Sequence, residues 1–116
     1  ERQRQQISKE TTFDDDLNID QCQPHWDHLI ERVWLSLEKR QMQARGVTVK
    51  LKLKNFQVLQ HSKSFKQPLN SQQEMIQVIQ ILLKEMNIPE HFQFRLIGVG
   101  LYQLSEQQQE SQLSLW

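Results

Sequence analysis

Strict alternation of apolar and polar residues marks the clearest strand of the chain. Between positions 47 and 54 every second side chain is apolar. A period of two predicts a strand with one buried face. Its other face carries Thr48, Lys50, Lys52 and Lys54.

Three further strands are predicted. Residues 6–13 hold β-compatible residues and lead into an acidic turn, whereas residues 56–65 show a weaker pattern. In the last strand, over residues 92–104, Ile97, Val99 and Leu101 share one face. Gly98 and Gly100 lie on the other face, which predicts a bare surface that a partner backbone can approach.

Two segments carry the period of a helix. Apolar positions three and four apart predict a helix over about 21–43, with Asp20 as its cap and Gly46 as its stop. Its expected buried stripe is Cys22, Trp26, Leu29, Ile30, Val33 and Leu37. Ser71 and Glu74 have the spacing of a capping box and predict a second helix, which Asn87 and Pro89 end.

The element order is therefore β-α-β-β-α-β, an α+β two-layer sandwich. We expect a four-stranded sheet with both helices on one face, in a ferredoxin-like or reversed ferredoxin-like arrangement. The second face would stay open and display the lysine row. Such a row suits phosphate contacts. Lysines also keep exposed strands from pairing with one another, and alternation alone favours that simpler explanation.

Composition limits the possible classes. The 116 residues fit one domain with a modest core, and the formal net charge is zero. No acidic residue lies between Glu38 and Glu74, so a neutral chain can still present a basic surface. Cys22 is the only cysteine, which fits a reducing cytoplasm. No run of 18 apolar residues exists, so we expect no membrane partner. The first residue is Glu1 rather than Met, which suggests a fragment.

The C-terminal residues combine a polar stretch with an apolar end. Residues 105–111 hold no apolar side chain and are typical of a flexible tether. The chain then closes with Gln112, Leu113, Ser114, Leu115 and Trp116. An apolar peptide on a polar tether suits binding in a groove of another protein. Packing of the tail on its own domain is an equal alternative.

Other candidate chemistry is weak. Asp14 to Asp16 fit a turn better than a metal site, and His25 with His28 lacks a third ligand. Cys22 lies on the apolar stripe and is expected in the core. We therefore predict no catalytic residue and no metal ligand.

Several segments together resemble the C-terminal little finger domain of Y-family translesion DNA polymerases, most closely the bacterial DNA polymerase IV type. Residues 6–13 are similar to its opening strand, 45–52 to its second strand and 94–101 to its last. The terminal Gln-Leu-Ser-Leu-Trp resembles the bacterial sliding-clamp-binding peptide, with Trp116 in place of Phe. The resemblance covers nearly the whole chain from Arg4.

The resemblance implies a non-catalytic domain of an error-prone lesion-bypass enzyme in the bacterial cytoplasm. Residues 1–5 would be a linker from a missing thumb domain, 6–104 the DNA-gripping domain, and 105–116 the tether with its peptide. The implied DNA-binding residues are Ser8, Thr48, Lys50, Lys52, His61, Ser62, Lys63, Ser64, Leu96 and Gly98.

The implied partners are primer-template DNA and the β subunit of the sliding clamp, which Gln112, Leu113, Ser114, Leu115 and Trp116 would bind. No cofactor is implied for this fragment; Mg²⁺ would serve the missing catalytic domain. The family often has Arg at the positions of Leu96 and Gly100. The DNA grip would then depend more on Lys50, Lys52 and on His61 or Lys63.

Two other functions share this element order. A free-standing RNA-recognition-type module needs exposed aromatic side chains on its central strands, which the basic strand lacks. A small acyl-phosphate hydrolase needs an anion-binding loop after the first strand. Asp14 to Asp16 occupy that position and would repel phosphate.

Overall fold

Six elements follow one another in the predicted order. The computed structural model describes residues 5–107. The strands are β1 (Gln6–Leu17), β2 (Met42–Leu53), β3 (Val58–Ser64) and β4 (Phe94–Glu106); the helices are α1 (Gln23–Lys39) and α2 (Gln72–Met86). The α+β class and the β-α-β-β-α-β order predicted from the sequence are confirmed.

The four strands form one antiparallel sheet in the order β1-β4-β2-β3. The last strand lies between the first and the second, so that β4 and β2 are central and β1 and β3 are edges. The sequence left this order open, because pairing between distant strands depends on the whole layer rather than on any one strand.

Both helices cover the same face of the sheet. The apolar face of β2 (Val47, Val49, Leu51) and that of β4 join the buried stripes of α1 and α2 in one core. All six predicted residues of the α1 stripe are buried. Trp34, which the stripe did not include, is buried as well and donates from Nε1 to Glu38 Oε2 at 3.1 Å.

Helix α1 ends sooner than its pattern predicts. It stops at Lys39, and Gln41 adopts a left-handed φ of 56° that turns the chain into β2. Gly46 is therefore not its stop; it lies inside β2. Asp20 is not its cap either, since the N-cap is Cys22 without a side-chain hydrogen bond. The predicted end was wrong because residues from Met42 onward pair with β4 as part of β2 instead of continuing the helix.

Helix α2 has the predicted ends. Ser71 Oγ accepts a hydrogen bond from the Glu74 N–H at 3.2 Å, and Glu74 Oε1 accepts one from the Asn70 N–H at 2.7 Å. At the other end Asn87 adopts a left-handed φ of 53°. These contacts satisfy backbone groups that a helix terminus leaves without partners.

Two strands are longer than predicted. β1 continues through Asp14 to Asp16, with an irregular register between Thr12 and Leu17, so the predicted acidic turn is wrong. β4 continues beyond Leu104 because Ser105 and Glu106 pair with β2. Backbone pairing does not require apolar side chains, so the sequence pattern underestimated both strands. Within the described part of the chain, no helix is long and apolar enough to cross a membrane.

Candidate nucleic-acid interface

The sheet surface opposite the helices carries polar side chains from all four strands. We call it the open face and the other surface the helix face. Pairing between the strands arranges the open face in rows that run from edge to edge. One row is Ser8, Gly100, Thr48 and Ser62; the next is Glu10, Gly98, Lys50 and Gln60; the third is Thr12, Leu96, Lys52 and Val58.

The first row brings hydroxyl groups together. Ser62 Oγ donates to Thr48 Oγ1 at 2.8 Å, and Thr48 Oγ1 donates to the His61 carbonyl at 3.3 Å. A Cβ at Gly100 would lie 3.1 Å from Ser8 Cβ and 3.1 Å from Thr48 Cγ2. Because Gly100 has no side chain, Ser8 of β1 and Thr48 of β2 can approach each other across β4.

The second row contains an ion pair that sequence analysis missed. Lys50 Nζ lies 3.4 Å from Glu10 Oε2, across the gap left by Gly98. Both side chains are well exposed, so the pair contributes at most about 1 kcal/mol. Glu10 lies two residues after Ser8, so the period of two in β1 already places both side chains on the same face. The predicted bare glycine surface is wrong, since β1 and β2 side chains cover both glycines.

Beside the third row, an aromatic side chain lies close to two basic ones. Phe56, in the turn between β2 and β3, is 62% exposed. The Arg95 guanidinium carbon lies 4.2 Å from the ring centroid and Lys52 Nζ lies 6.0 Å from it. Neither Phe56 nor Arg95 was among the predicted site residues. The register places Arg95 as an extra residue of β4 between the Lys52–Leu96 and Leu53–Phe94 pairs.

Tyr102 forms the other end of the open face. A Cβ at Gly46 would overlap the Tyr102 ring, so the ring lies directly over that glycine. Ser64 pairs with Gly46 in the same row. A depression of about 960 Å³ at this end is lined by polar and aromatic groups, among them Gln6, Thr48, Ser62 and Tyr102.

Eight of the ten predicted DNA-binding residues lie on the open face, and two do not. In the pairing of β3 with β2, His61 lies beside Val49 and Lys63 lies beside Val47. Both side chains therefore lie on the helix face. There, Lys63 Nζ lies 2.8 Å from Glu85 Oε2 and His61 Nε2 lies 2.9 Å from Glu85 Oε1. The hydrogen bond from Lys63, followed by that from His61, holds the pKa of Glu85 below its ordinary value.

Other chemistry is limited in the described residues. Burial raises the pKa of the Cys22 thiol to about 11, so it is a core side chain and a poor nucleophile at neutral pH. His25 is exposed, and its ring lies at a tilt of 57° to Phe13 with 4.8 Å between ring centroids. Within residues 5–107 no cluster of three or more His, Cys, Asp or Glu could hold a metal ion. The predicted clamp-binding residues, 112–116, lie outside the described part.

Known proteins are similar to this chain in sequence and in fold. DNA polymerase IV of Xanthomonas euvesicatoria pv. vesicatoria is 36% identical over 102 residues, which cover 88% of this chain and 28% of that protein. The chain thus spans just over a quarter of the length of this relative.

Two solved structures resemble the fold. A Y-family DNA polymerase chimera superposes with a TM-score of 0.77 at 18% identity, covering 91% of this chain and 30% of that one. The little finger domain of PolIV, in a complex with the β-clamp processivity factor, has a TM-score of 0.69 at 19% identity. That match covers 90% of this chain and 94% of the other.

The family profile agrees with these neighbours. The profile described as the impB/mucB/samB family C-terminal domain matches residues 4–115, nearly the whole chain. The chain therefore belongs to the impB/mucB/samB family, whose C-terminal domain it matches.

Proposed function

We propose that the domain holds primer-template DNA by its phosphates through the open face. The observation that carries this proposal is the convergence of Ser8, Thr48, Ser62, Lys50 and Lys52 on one uncovered surface. Hydroxyl and ammonium groups bind phosphate oxygens without reading the bases. A surface of this kind suits a polymerase that must accept damaged templates.

The charges of the open face point to a modest grip. Lys50 already pairs with Glu10, and the positions of Leu96 and Gly98 supply no charge. Lys52 has no carboxylate within ion-pair distance among residues 5–107. Hydroxyl groups must therefore contribute beside the two lysines, and DNA binding should weaken steeply as salt rises.

The test is the salt dependence of duplex binding. Replacing Lys50 and Lys52 together by Ala removes Lys52 and also Lys50, which already pairs with Glu10, so the slope of log K against log salt should flatten by about 1. The matched control is Lys9→Ala with Lys63→Ala, the same charge change on the helix face. Equal slopes for the two double variants would reject the open face as the DNA-binding surface.

We also propose that residues 112–116 bind the bacterial sliding clamp. Leu115 and Trp116 are suitable apolar anchors, and the Gln112 amide can bond a polar rim. A related little finger domain is found in a complex with the β-clamp. The tether would raise the local concentration of the peptide at a clamp already on DNA.

A pull-down with purified sliding clamp tests the tail. Leu115→Ala with Trp116→Ala should abolish capture, whereas Gln108→Ala with Gln109→Ala in the tether should leave it intact. Equal capture of all three chains would reject the peptide as the clamp-binding element. DNA binding by the open face should not change in any of them.

We further propose that the complete protein is a DNA polymerase that uses Mg²⁺ in domains outside this chain. Its relatives carry the name DNA polymerase IV. Metal-dependent phosphoryl transfer needs a cluster of metal ligands, and residues 5–107 hold no group of three or more His, Cys, Asp or Glu that could bind a metal ion. The 116-residue chain should therefore incorporate no nucleotide on primed DNA, and any incorporation by the pure chain would contradict this assignment.

A further inference from the structure

Phe56 combines an exposed side chain with a strained backbone conformation. Its φ of 74° lies in the left-handed region, which bulky residues rarely adopt. The turn is fixed by hydrogen bonds from Leu53 N–H to the Gln57 carbonyl and from Phe56 N–H to the Leu53 carbonyl, both 2.8 Å. The ring itself is 62% exposed and does not pack against the core. A strained residue that contributes nothing to packing points to a function.

Two cations lie against this ring. Arg95 is 4.2 Å from the centroid and Lys52 is 6.0 Å from it. Within the described residues, neither side chain has a carboxylate at ion-pair distance. Their positive charges are therefore available to an anion that arrives beside the ring.

The nearest acidic segment of β1 forms no ion pair with Arg95. Asp14 to Asp16 lie on the β1 side of β4, in the irregular register between Thr12 and Leu17. Phe56 lies on the opposite side of β4, beyond β2. Arg95 reaches toward the ring and not toward these carboxylates, which sets the basic and aromatic group apart from the acidic strand.

A flat ring flanked by cations suits a base with its phosphate. Stacking on an aromatic side chain, supported by cationic groups, is the common mode of binding single-stranded nucleic acid. Bases inside a duplex already stack on both neighbours, whereas an unpaired base has a face free for the ring. Phe56 adjoins Lys52 of the third row, at one end of the open face.

We propose that Phe56, Arg95 and Lys52 form a stacking site for an unpaired nucleobase of a DNA strand that leaves the duplex. Phe56 stacks on the base, while Arg95 and Lys52 bind the phosphate next to it. This site rests on the proposed binding of duplex DNA by the open face and adds a preference for duplex with a single-stranded extension. An apolar protein contact is disfavoured, because it would desolvate both cations without neutralising them.

The experiment compares a blunt duplex with the same duplex carrying a single-stranded extension, both bound by the 116-residue chain. Phe56→Gly removes the ring and suits the positive φ, so the turn should stay folded. Phe56→Trp keeps an aromatic surface. Leu35→Ala, at another exposed apolar position, on α1, is the matched control.

We expect Phe56→Gly to weaken binding of the extended DNA by about fivefold to a hundredfold, the range of one lost base stack. Binding of the blunt duplex should not change. A fluorescent adenine analogue placed in the extension should be quenched by the parent chain and by Phe56→Trp, but not by Phe56→Gly.

The outcomes separate this site from the proposed function. Equal loss on both DNAs, or no loss on either, would overturn the stacking site. If Lys50→Ala with Lys52→Ala still weakened the blunt duplex, duplex binding by the open face would stand without it. Unchanged DNA binding by Phe56→Gly, together with lost binding to the purified sliding clamp, would assign Phe56 to a protein contact instead.

Discussion

The two faces of the sheet follow different rules, although the same strands build both. On the helix face Val47, Val49 and Leu51 are completely buried under the helices. On the open face their neighbours Lys50 and Lys52 remain partly exposed. One face is specified by apolar side chains packing in a core; the other is specified by which residues the register places side by side.

This difference separates stability from binding. Apolar contacts in a close-packed core are costly to change, because the cavity left by a deleted side chain cannot collapse fully. The open face holds hydroxyl groups and an exposed ion pair, each with a small effect on stability. Residues of the open face can therefore change DNA affinity while the fold stays intact.

The largest expected contrast is between two adjacent residues of β2. Leu51→Ala should reduce the free energy of unfolding by about 2–5 kcal/mol, because Leu51 is fully buried. Lys50→Ala should change it by at most about 1 kcal/mol, since its pair with Glu10 is exposed. Urea denaturation measures both. Similar losses for the two variants would mean that the faces do not divide stability from binding.

A smaller effect is expected where the open face itself is tightly packed. A Cβ at Gly46 would overlap the Tyr102 ring, so Gly46→Ala should destabilise by about 1–3 kcal/mol. Tyr102→Ala should restore most of this loss in the double variant. Gly98→Ala is the control, because its Cβ would meet Glu10 Cβ at 3.1 Å and needs only a small shift. Absence of rescue in the double variant would contradict the ring contact.

Local patterns predicted most elements, and pairing across the sheet accounts for the errors. The alternation of β2 and the capping box at Ser71 were each readable from a few neighbouring residues. The placement of His61 and Lys63 was not, because it depends on how β3 aligns with β2. Likewise, Glu10 and Lys50 are 40 positions apart, and only the order β1-β4-β2 brings them together.

Glu10 provides a test of charge on the open face. Glu10→Gln leaves Lys50 without its partner, so Lys50 becomes available to a phosphate. We expect tighter duplex binding and a salt dependence steeper by about 0.9 in the log–log slope, as for one added phosphate contact. Glu31→Gln makes the same charge change on α1 and should leave the slope unaltered. A slope that Glu10→Gln does not alter would show that Lys50 does not reach phosphate.

The smallest expected effect is at Glu85, which lies on the helix face and pairs there with His61 and Lys63. Hydrogen bonds from Lys63 and then His61 lower the pKa of Glu85 in the folded chain. A lowered pKa stabilises the fold above the ordinary Glu pKa, and this contribution is lost as the pH falls through the folded value. The melting temperature of Glu85→Gln should thus lie slightly below that of the parent at neutral pH and converge with it in acid. Glu90→Gln, at a position without an ion pair in residues 5–107, should follow the parent at every pH. A difference for Glu85→Gln that persists unchanged into acid would mean that the ion pairs do not hold β3 against α2.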